Sequence, residues 1–412
     1  MPPTTILDGT TERLVNIGLR VSNSEQTEVI SVSIKRGVVI SYDEKAPPLS
    51  KATSTSCGIA PANQQTSTNG LAGQYQLTVT DGQNTLWEML IVRPSASSGT
   101  NKSGIEVRDV KYRGKSVLKR GHVPILDVQY AGNSGCGPYR DWEWQESQFA
   151  TPAGTLETSP GIKVLNPGDV ATTALETGID VGNFKGVAVY RQDVGNGPEV
   201  VLVTELEAGW YRYVNEWRFG TDGTIRPRYA FGATTSSCVC DVHNHHAYWR
   251  FDFDIVGPNN KVFQMERGRK FLQPISTEMT QVKNIGTNRS LLIQNSTGDE
   301  AYELVPNNTD GVADAFGVSD FWVLRYKNVA SGTAVQNEID DGVNCITCPG
   351  LTGAIQINPF INGESVVNQD IVVWYGAHFI HDDGSNRLLD VNRPDVISGS
   401  HVVGPDLRPV RW

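Results

Sequence analysis

Apolar and polar residues alternate along most of this 412-residue chain with the period of a β-strand. The clearest examples are the segments YQLTVTDG, NTLWEMLIVRP and KGVAVYRQ, which are rich in Val, Leu, Thr and Tyr. The chain also contains 41 glycines and 21 prolines, which are typical of turns. No long helical pattern competes with these segments. The pattern therefore predicts a mainly β protein with many turns.

The segment from Asp241 to Asp254, DVHNHHAYWRFDFD, combines a strand pattern with a cluster of histidines. Period two predicts a half-buried strand whose apolar face begins with His243 and His245. Residues two apart in a strand are separated by roughly 6.6 Å, so both imidazoles can bind one metal ion from the same side. Zinc or copper suits such a pair. The alternative is that both are ordinary polar residues at the open end of a strand.

Another histidine ends an apolar strand near the C-terminus, DIVVWYGAHFIH. Period two places His381 on the same face as Tyr375 and Phe379, so it ends this strand much as His243 begins the other. Five of the seven histidines fall within HNHH and AHFIH. This clustering favours the interpretation as a metal site.

Charge and hydropathy exclude several classes of protein. The formal net charge of −10 argues against a general nucleic-acid-binding protein and against a protein of anionic membranes. No apolar segment is long enough to span a membrane, and the N-terminal MPPTTILDGTTERL lacks the features of a secretory signal. At face value the protein is cytoplasmic, and a secreted protein is the alternative.

Domain organisation is indicated by a change in composition near residue 75. We expect residues 1–74 to form an N-terminal β extension with a long Pro-, Ser-, Thr- and Gln-rich loop, and residues 75–412 to form the β-sandwich domain.

Four of the six cysteines form a C-x-C pair, Cys238 and Cys240, and a C-x-x-C pair, Cys345 and Cys348. Two halves of a zinc site and a disulfide arrangement both fit this pattern. We favour disulfides if the compartment is oxidising, and free thiols otherwise.

The segment GCGPYRDWEWQESQF places Asp141, Glu143 and Glu146 among aromatic residues. A carboxylate beside aromatic surface can have a raised pKa, which a general base working near neutral pH requires. A solvated acidic loop is the alternative for each of the three.

These motifs together resemble the catalytic domain of the copper-containing amine oxidases, quinone enzymes whose cofactor is made from one of their own tyrosines. The family's H-x-H motif, followed by a strand of the type RLDMD, is similar to His243, His245 and residues 250–254. Its DIVVW strand, with the third copper histidine eleven residues after the Asp, is similar to the run from Asp370 to His381.

Two further segments carry the resemblance. The family's cofactor strand, of the type GNYDY…DW…F…DGTI, resembles residues 209–225, with Tyr211 at the position of the cofactor tyrosine. Upstream, GIEVRDVKYRGKSVL and the strand ending at Tyr130 are similar to the start of the family's catalytic domain. The chain departs from the family where Asn and an acidic residue normally flank the tyrosine, because Trp210 and Arg212 stand there.

Together with the strand pattern, the resemblance implies a large antiparallel β-sandwich with little helix. It also implies a site for copper and a quinone. Copper would be held by His243, His245 and His381, Tyr211 would become topaquinone, and Tyr130 would hydrogen-bond to the quinone. The catalytic base would be one of the three carboxylates named above, and we retain Asp141 and Glu146 as candidates. A peripheral calcium site is implied as well, formed by Asp252, Asp370 and the carbonyl groups of Phe253 and Ile371, since calcium prefers oxygen ligands. Both aspartates could also be ordinary surface carboxylates.

The implied activity is the oxidation of a primary amine by dioxygen in a homodimeric enzyme. Period two places Trp210 and Arg212 on the strand face opposite Tyr211, from where they would alter the surroundings of the ring. We expect the charge of Arg212 to stabilise an anionic ring oxygen and to disfavour a cationic intermediate, which predicts slow or altered turnover. A copper oxidase without topaquinone that acts on another substrate, and a metal-binding relative without activity, are the alternatives.

Overall fold

The computed structural model of the protein describes residues 73–99, 101–130, 136–177, 181–194, 197–233, 236–266, 271–313, 319–326, 357–381 and 401–412. It also gives the backbone of strands at 13–20, 27–35, 38–43 and 396–397, and it describes only the backbone of 379–381.

The first part of the chain forms strands and one short helix. Strands β1 to β6 are Arg13–Arg20, Thr27–Lys35, Val38–Asp43, Gln74–Asp81, Asn84–Val92 and Glu106–Tyr112. Strands β7 to β12 are Lys115–Tyr130, Tyr139–Arg140, Ile162–Val164, Val187–Val194, Gly197–Ala208 and Tyr211–Gly220. The helix α1 is Ala174–Thr177.

The second part continues the strand pattern. Strands β13 to β18 are Ile225–Ala233, His243–Phe253, Asn260–Glu266, Phe271–Ile275, Met279–Gln281 and Ser290–Asn295. Strands β19 to β24 are Ala301–Val305, Phe321–Arg325, Ile371–His381, Val396–Ile397, His401–Val403 and Asp406–Arg411. Single 3₁₀ turns occur at Pro94–Ala96, Cys238–Cys240, Ile285–Thr287 and Asn358–Phe360.

Two large, mostly antiparallel sheets form the β-sandwich that the strand pattern and the resemblance together predict. One sheet has the order β16-β15-β18-β19-β24-β13-β12-β11-β10-β9, and β23 also pairs with β13. The other has the order β17-β20-β21-β14-β7-β6-β5-β4, with β22 beside β21 and β8 beside β7. The two sheets pack through aromatic residues: ring centres lie 6.3 Å apart for Trp217 and Phe251, and 6.4 Å apart for Tyr229 and Trp249. The prediction of a mainly β sandwich is confirmed.

The histidine-bearing strand β14 is buried on both faces, so the prediction of a half-buried strand is wrong. It lies inside its sheet, between β7 and β21. The face that begins with His243 packs against the other sheet. The opposite face is covered by a second apolar cluster that includes Tyr248 and Trp322. Its residue His246 is paired within the protein, because Nδ1 of His246 lies 2.8 Å from Nδ1 of His378. Internal pairing of this kind allows a polar strand face to be buried.

A two-residue turn joins β11 to β12 and sets the position of Trp210. Ala208 pairs with Tyr211 in register, so Gly209 and Trp210 form the turn. Gly209 has a φ of 58°, a conformation that glycine adopts readily and that type II′ hairpin turns require at their first position. Trp210 therefore precedes the strand, and the prediction that it lies on the strand face opposite Tyr211 is wrong.

A disulfide bond joins Cys136 to Cys238, across 102 residues of sequence. It connects the segment before β8 to the segment before β14. Cys240 is disulfide-bonded as well, whereas Cys345 and Cys348 lie outside the described residues. The disulfide alternative therefore holds for Cys238, but its partner is not a member of the C-x-x-C pair.

The N-terminal strands β1, β2 and β3 form a three-stranded antiparallel sheet. The division at residue 75 stays a prediction, and the long loop predicted before it falls outside the described residues. In the described part of the chain, no helix has the length and apolar character needed to cross a membrane.

Candidate active site

Two tyrosines and one histidine form a buried chain of hydrogen bonds between the two large sheets. Tyr130 ends β7 and is the register partner of His243 in the same sheet. Tyr211 begins β12 and approaches both from the facing sheet. Its hydroxyl oxygen lies 2.7 Å from the hydroxyl of Tyr130 and 2.8 Å from Nε2 of His243. The fold thus brings together three of the residues that the sequence singles out.

The two histidines of the H-x-H motif lie side by side and are almost completely buried. Their ring centres are 4.9 Å apart. Nδ1 of His243 lies 2.6 Å from the backbone oxygen of Asp241, so this nitrogen carries the hydrogen and Nε2 carries the lone pair in the neutral ring. His245 is enclosed by aromatic rings, with its centre 4.9 Å from that of Tyr211 and 4.5 Å from that of Phe231.

His381 is placed beside this pair by the sheet register. The backbone of His381 lies directly opposite His243 in the antiparallel pair of β14 and β21. Its side chain lies outside the described part of the structure. Among the described side chains, a group of three potential metal ligands lies elsewhere. It is a carboxylate cluster, whose ligand atoms lie within 4.8 Å of one another and belong to Asp252, Asp254 and Asp370.

The donor set at His243 fits a copper ion. A hydrogen bond from Nδ1 to a backbone carbonyl is the usual means of orienting a metal-binding imidazole, because it leaves Nε2 as the ligand atom. Neutral imidazoles are preferred ligands of copper and zinc, and copper(II) binds such sites more strongly than zinc does. A phenol oxygen 2.8 Å from the same Nε2 places an oxidisable ring beside the ligand position.

A cavity of about 200 Å³ lies beside Tyr211. Aromatic side chains dominate its wall, and a single carboxylate is present among the lining residues, which are Tyr139, Asp141, Trp142, Ala208, Gly209, Trp210 and Tyr211. Burial raises the pKa of Asp141 to about 7, against a lowering by the hydrogen bond from the Tyr213 hydroxyl. A group with this pKa at the wall of an apolar cavity can accept a proton near neutral pH.

The other two carboxylates of the segment have different surroundings. Glu146 forms a buried ion pair with Arg93, whose Nε lies 2.8 Å from Oε1 of Glu146. Glu143 accepts a hydrogen bond of 3.1 Å from the hydroxyl of Tyr229, and burial raises its pKa well above the usual range. Neither is among the residues that line the cavity beside Tyr211. The structure thus separates three carboxylates that the sequence could not distinguish.

The two residues that depart from the family motif make different contacts. The indole Nε1 of Trp210 donates a hydrogen bond of 2.8 Å to the hydroxyl of Tyr130. The guanidinium of Arg212 lies 3.5 Å from Oε1 of Glu207, its register partner on β11. Arg212 also donates a hydrogen bond of 3.0 Å to the backbone oxygen of Tyr211. Its charge is therefore partly neutralised by Glu207.

A carboxylate cluster occupies the other end of the β14 and β21 pair, where a calcium site is expected. Asp252, Asp254 and Asp370 approach within 4.8 Å of one another, and Phe253 is the register partner of Ile371. Burial and the charges of Asp252 and Asp254 raise the pKa of Asp370 to about 7. Three clustered carboxylates repel one another, and a bound cation would relieve this repulsion.

Four residues at these sites received no role from the sequence: Tyr139, Trp142, Tyr213 and Asp254. Asp254 lies two residues from Asp252, so the period of the strand already placed both on one face. Tyr213 shares a strand face with Tyr211, and their rings stack with centres 5.3 Å apart. The aromatic character of PYRDW was visible, but its position against Tyr211 depends on contacts between distant segments.

Comparison with known proteins identifies the fold. No protein-family model and no curated protein match the sequence. Solved structures similar to this chain include a copper-containing benzylamine oxidase from Hansenula polymorpha, with a TM-score of 0.55, 14% identity, and 98% of this chain and 78% of that chain covered. A lysyl oxidase from Pichia pastoris has a TM-score of 0.55 and 12% identity, with 99% and 68% covered. An amine oxidase from Aspergillus nidulans has a TM-score of 0.50 and 12% identity, and the match covers 98% of this chain and 69% of that chain. The protein therefore has an amine oxidase-like fold.

Proposed function

We propose that the protein is a copper-dependent oxidase that converts a primary amine, dioxygen and water into an aldehyde, ammonia and hydrogen peroxide. The observation that carries this proposal is the position of Tyr211, whose hydroxyl lies between Nε2 of His243 and the hydroxyl of Tyr130 at the wall of an aromatic cavity. In the amine oxidases that the chain resembles, the corresponding tyrosine is the precursor of the quinone. The similar fold of solved amine oxidases supports the same assignment.

The ligands proposed for copper are His243, His245 and His381. Copper would supply redox chemistry with dioxygen, and a quinone made from Tyr211 would supply an electrophilic carbonyl group for the amine. In this proposal Tyr130 donates a hydrogen bond to the oxygen of Tyr211, and the hydrogen bond from His243 to Asp241 keeps Nε2 available as a ligand.

The proposed base is Asp141. A substrate in the cavity would place its apolar part against Tyr139, Trp142 and Trp210, and the carbon next to its nitrogen would lie near the carboxylate. With a pKa of about 7, Asp141 is largely ionised just above neutral pH, and it can remove a proton from that carbon. The hydroxyl of Tyr213 donates a hydrogen bond to Oδ2 of Asp141, which orients the carboxylate.

Further parts of the proposal concern metal ions, assembly and compartment. The carboxylate cluster of Asp252, Asp254 and Asp370 would bind calcium, with the carbonyl oxygens of Phe253 and Ile371 as further ligands. The chain would act as a homodimer, as the family does. The disulfide of Cys136 and Cys238 favours an oxidising compartment over the cytoplasm.

Aerobic loading of the metal-free protein with copper tests the proposal. We expect about one tightly bound copper per chain and a new visible absorption band. Phenylhydrazine should then label the peptide that contains Tyr211, and mass spectrometry of residues 205–220 should locate the label. An unmodified Tyr211 in copper-loaded protein would contradict the quinone and favour the alternative of a copper oxidase that acts on another substrate. Failure to bind copper would contradict both.

A further inference from the structure

We propose that Trp210 is a positioning residue whose indole N–H holds the hydroxyl of Tyr130, and through it the ring of Tyr211, in place beside His243. The inference deepens the proposed function, since it concerns how the cofactor tyrosine is held. It also applies to the metal-free protein, where it can be measured separately.

The direction of the chain follows from its two ends. An indole N–H can only donate, so the oxygen of Tyr130 accepts the 2.8 Å hydrogen bond from Trp210. At the other end, a backbone carbonyl can only accept. The 2.6 Å contact with Asp241 therefore places the hydrogen of His243 on Nδ1 and leaves Nε2 as an acceptor.

The two hydroxyl groups between these ends then have only one consistent arrangement. In the metal-free protein, Tyr211 donates its hydrogen to Nε2 of His243 over 2.8 Å. Because that hydrogen is used, Tyr211 must accept from Tyr130 over 2.7 Å. In this arrangement all the hydrogens point from Trp210 toward His243. Chains with a single direction are strengthened by mutual polarisation.

The backbone turn and the neighbouring rings hold the indole in place. Trp210 follows Gly209 in the two-residue turn before β12, and its position depends on the positive φ of that glycine. Edge-to-face contacts join the indole to Tyr130, with ring centres 6.3 Å apart, and to Tyr139, with ring centres 5.9 Å apart. Trp210 thus reaches the oxygen of Tyr130 from a fixed position.

Loss of the indole N–H would remove the donor that holds the oxygen of Tyr130 in place. The hydrogen bond from Tyr130 to the oxygen of Tyr211 would then be weakened. The ring of Tyr211 would be held less firmly beside the proposed ligand atom. The position that carries Asn in the family motif would in this chain act through a second tyrosine.

The first test uses metal-free protein and the indole N–H resonances of its nine tryptophans in ¹H–¹⁵N spectra. The Trp210 resonance is assigned by its loss in Trp210→Phe. We expect it to move upfield in Tyr130→Phe, which removes its acceptor, and to move measurably in Tyr211→Phe, because the change is transmitted along the chain. The resonance of the exposed Trp144, assigned through Trp144→Phe, should stay in place in both tyrosine variants. A Trp210 resonance that is indifferent to Tyr130→Phe, or that responds to Tyr130→Phe alone, would overturn the proposal.

The second test measures how fast Tyr211 is oxidised after aerobic copper loading. Benzothienylalanine at position 210 has the shape of tryptophan but carries sulfur in place of the N–H. We expect it to slow the modification of Tyr211 roughly tenfold, the size of effect typical for one hydrogen bond. Trp144→Phe should react at the wild-type rate. An unchanged rate with the sulfur analogue would overturn the positioning role. If wild-type Tyr211 is not oxidised at all, the proposed function fails, and the spectra of the metal-free protein still decide the role of Trp210.

Discussion

The paired strands β14 and β21 carry different sets of potential metal ligands at their two ends. At one end, His243 lies opposite His381 in register, with His245 two residues further along. At the other end, Asp252 and Asp254 of the chain segment that contains β14 meet Asp370, which precedes β21. One register therefore brings together imidazoles at one end and carboxylates at the other.

The surroundings of the two ends differ as much as the ligands do. The imidazole end lies between the sheets, where aromatic rings enclose His245 and where Tyr211 approaches His243. The carboxylate end includes the partly exposed Asp254 and Asp370. Nitrogen ligands in a closed aromatic setting suit a redox-active transition metal, and oxygen ligands nearer to solvent suit calcium. The comparison indicates that ligand chemistry, and not strand geometry, distinguishes the two sites.

Removal of one imidazole should have the largest effect. We expect His243→Ala to lose nearly all bound copper, because Nε2 of His243 is a proposed ligand and the hydrogen bond to Tyr211 disappears with it. The variant should also show no modification of Tyr211. Metal analysis after loading and dialysis measures the first effect, and peptide mass spectrometry measures the second.

The matched control for that prediction is His246→Ala, on the opposite face of the same strand. Its imidazole pairs with His378, so the change should lower stability by about 1–3 kcal/mol but retain copper. Equal loss of copper in both variants would show that the strand, and not the face, determines metal binding. Calcium binding at the carboxylate end should be the same in the two variants.

Substitution of the proposed base should have the next largest effect. We expect Asp141→Asn to bind copper normally and to lower kcat/KM for a primary amine by about 10²–10⁴-fold. In the wild type, kcat/KM should rise with pH through about 7, because the ionised form of Asp141 accepts the proton and burial raises its pKa to that value. That rise should be absent in Asp141→Asn. Steady-state kinetics across the pH range measures both effects.

Glu146→Gln distinguishes the two carboxylates that the sequence left as candidates. Glu146 is paired with Arg93, so the substitution should remove the negative charge that faces a buried guanidinium and lower stability by about 3–5 kcal/mol. Its pH profile should keep the rise that reports Asp141. A normal pH profile in Asp141→Asn, together with a lost rise in Glu146→Gln, would reverse the assignment.

Local periodicity predicts much of this molecule. Alternation alone indicates a mainly β protein and places His243 and His245 on one face of a strand. The structure departs from this pattern at Trp210, because Gly209 starts a two-residue turn within what reads as one long strand segment. A glycine inside a strand pattern is a known sign of such an interruption.

Long-range contacts could not be predicted from the sequence. Glu146 is held in an ion pair by Arg93, which lies 53 residues earlier in the chain. The disulfide between Cys136 and Cys238 spans 102 residues, whereas the C-x-C pattern that contains Cys238 pointed to the C-x-x-C pair. In each case the deciding neighbour is brought in by the tertiary fold, and no local spacing encodes it.

The smallest expected effect is a change in folding stability at the carboxylate end, and its direction depends on whether calcium is bound. Burial, with the charges of neighbouring carboxylates, raises the pKa of Asp254 to about 6 and that of Asp370 to about 7. Both pKa values lie above the pKa of an aspartate in the unfolded chain. At a pH between the unfolded and the folded pKa, the folded protein therefore binds more protons than the unfolded chain. Stability should therefore fall as the pH rises through these values, and a bound cation should restore it. We expect calcium to raise the melting temperature by a few degrees at about pH 8, and much less at about pH 5, where both carboxyl groups are protonated.

The variant Asp254→Asn should change the melting temperature in opposite directions without and with calcium. Without calcium at about pH 8, the variant should melt at the same temperature as the wild type or higher, because one of three repelling charges is gone. With calcium, it should melt lower than the wild type, because a ligand is gone as well. The exposed Asp193 provides the control, and Asp193→Asn should respond to calcium as the wild type does. Thermal unfolding with calcium and with a chelator measures all three proteins. A variant that keeps the full calcium response would show that the carboxylate end is not a cation site, and the contrast between the two ends of the strand pair would then rest on the histidines alone.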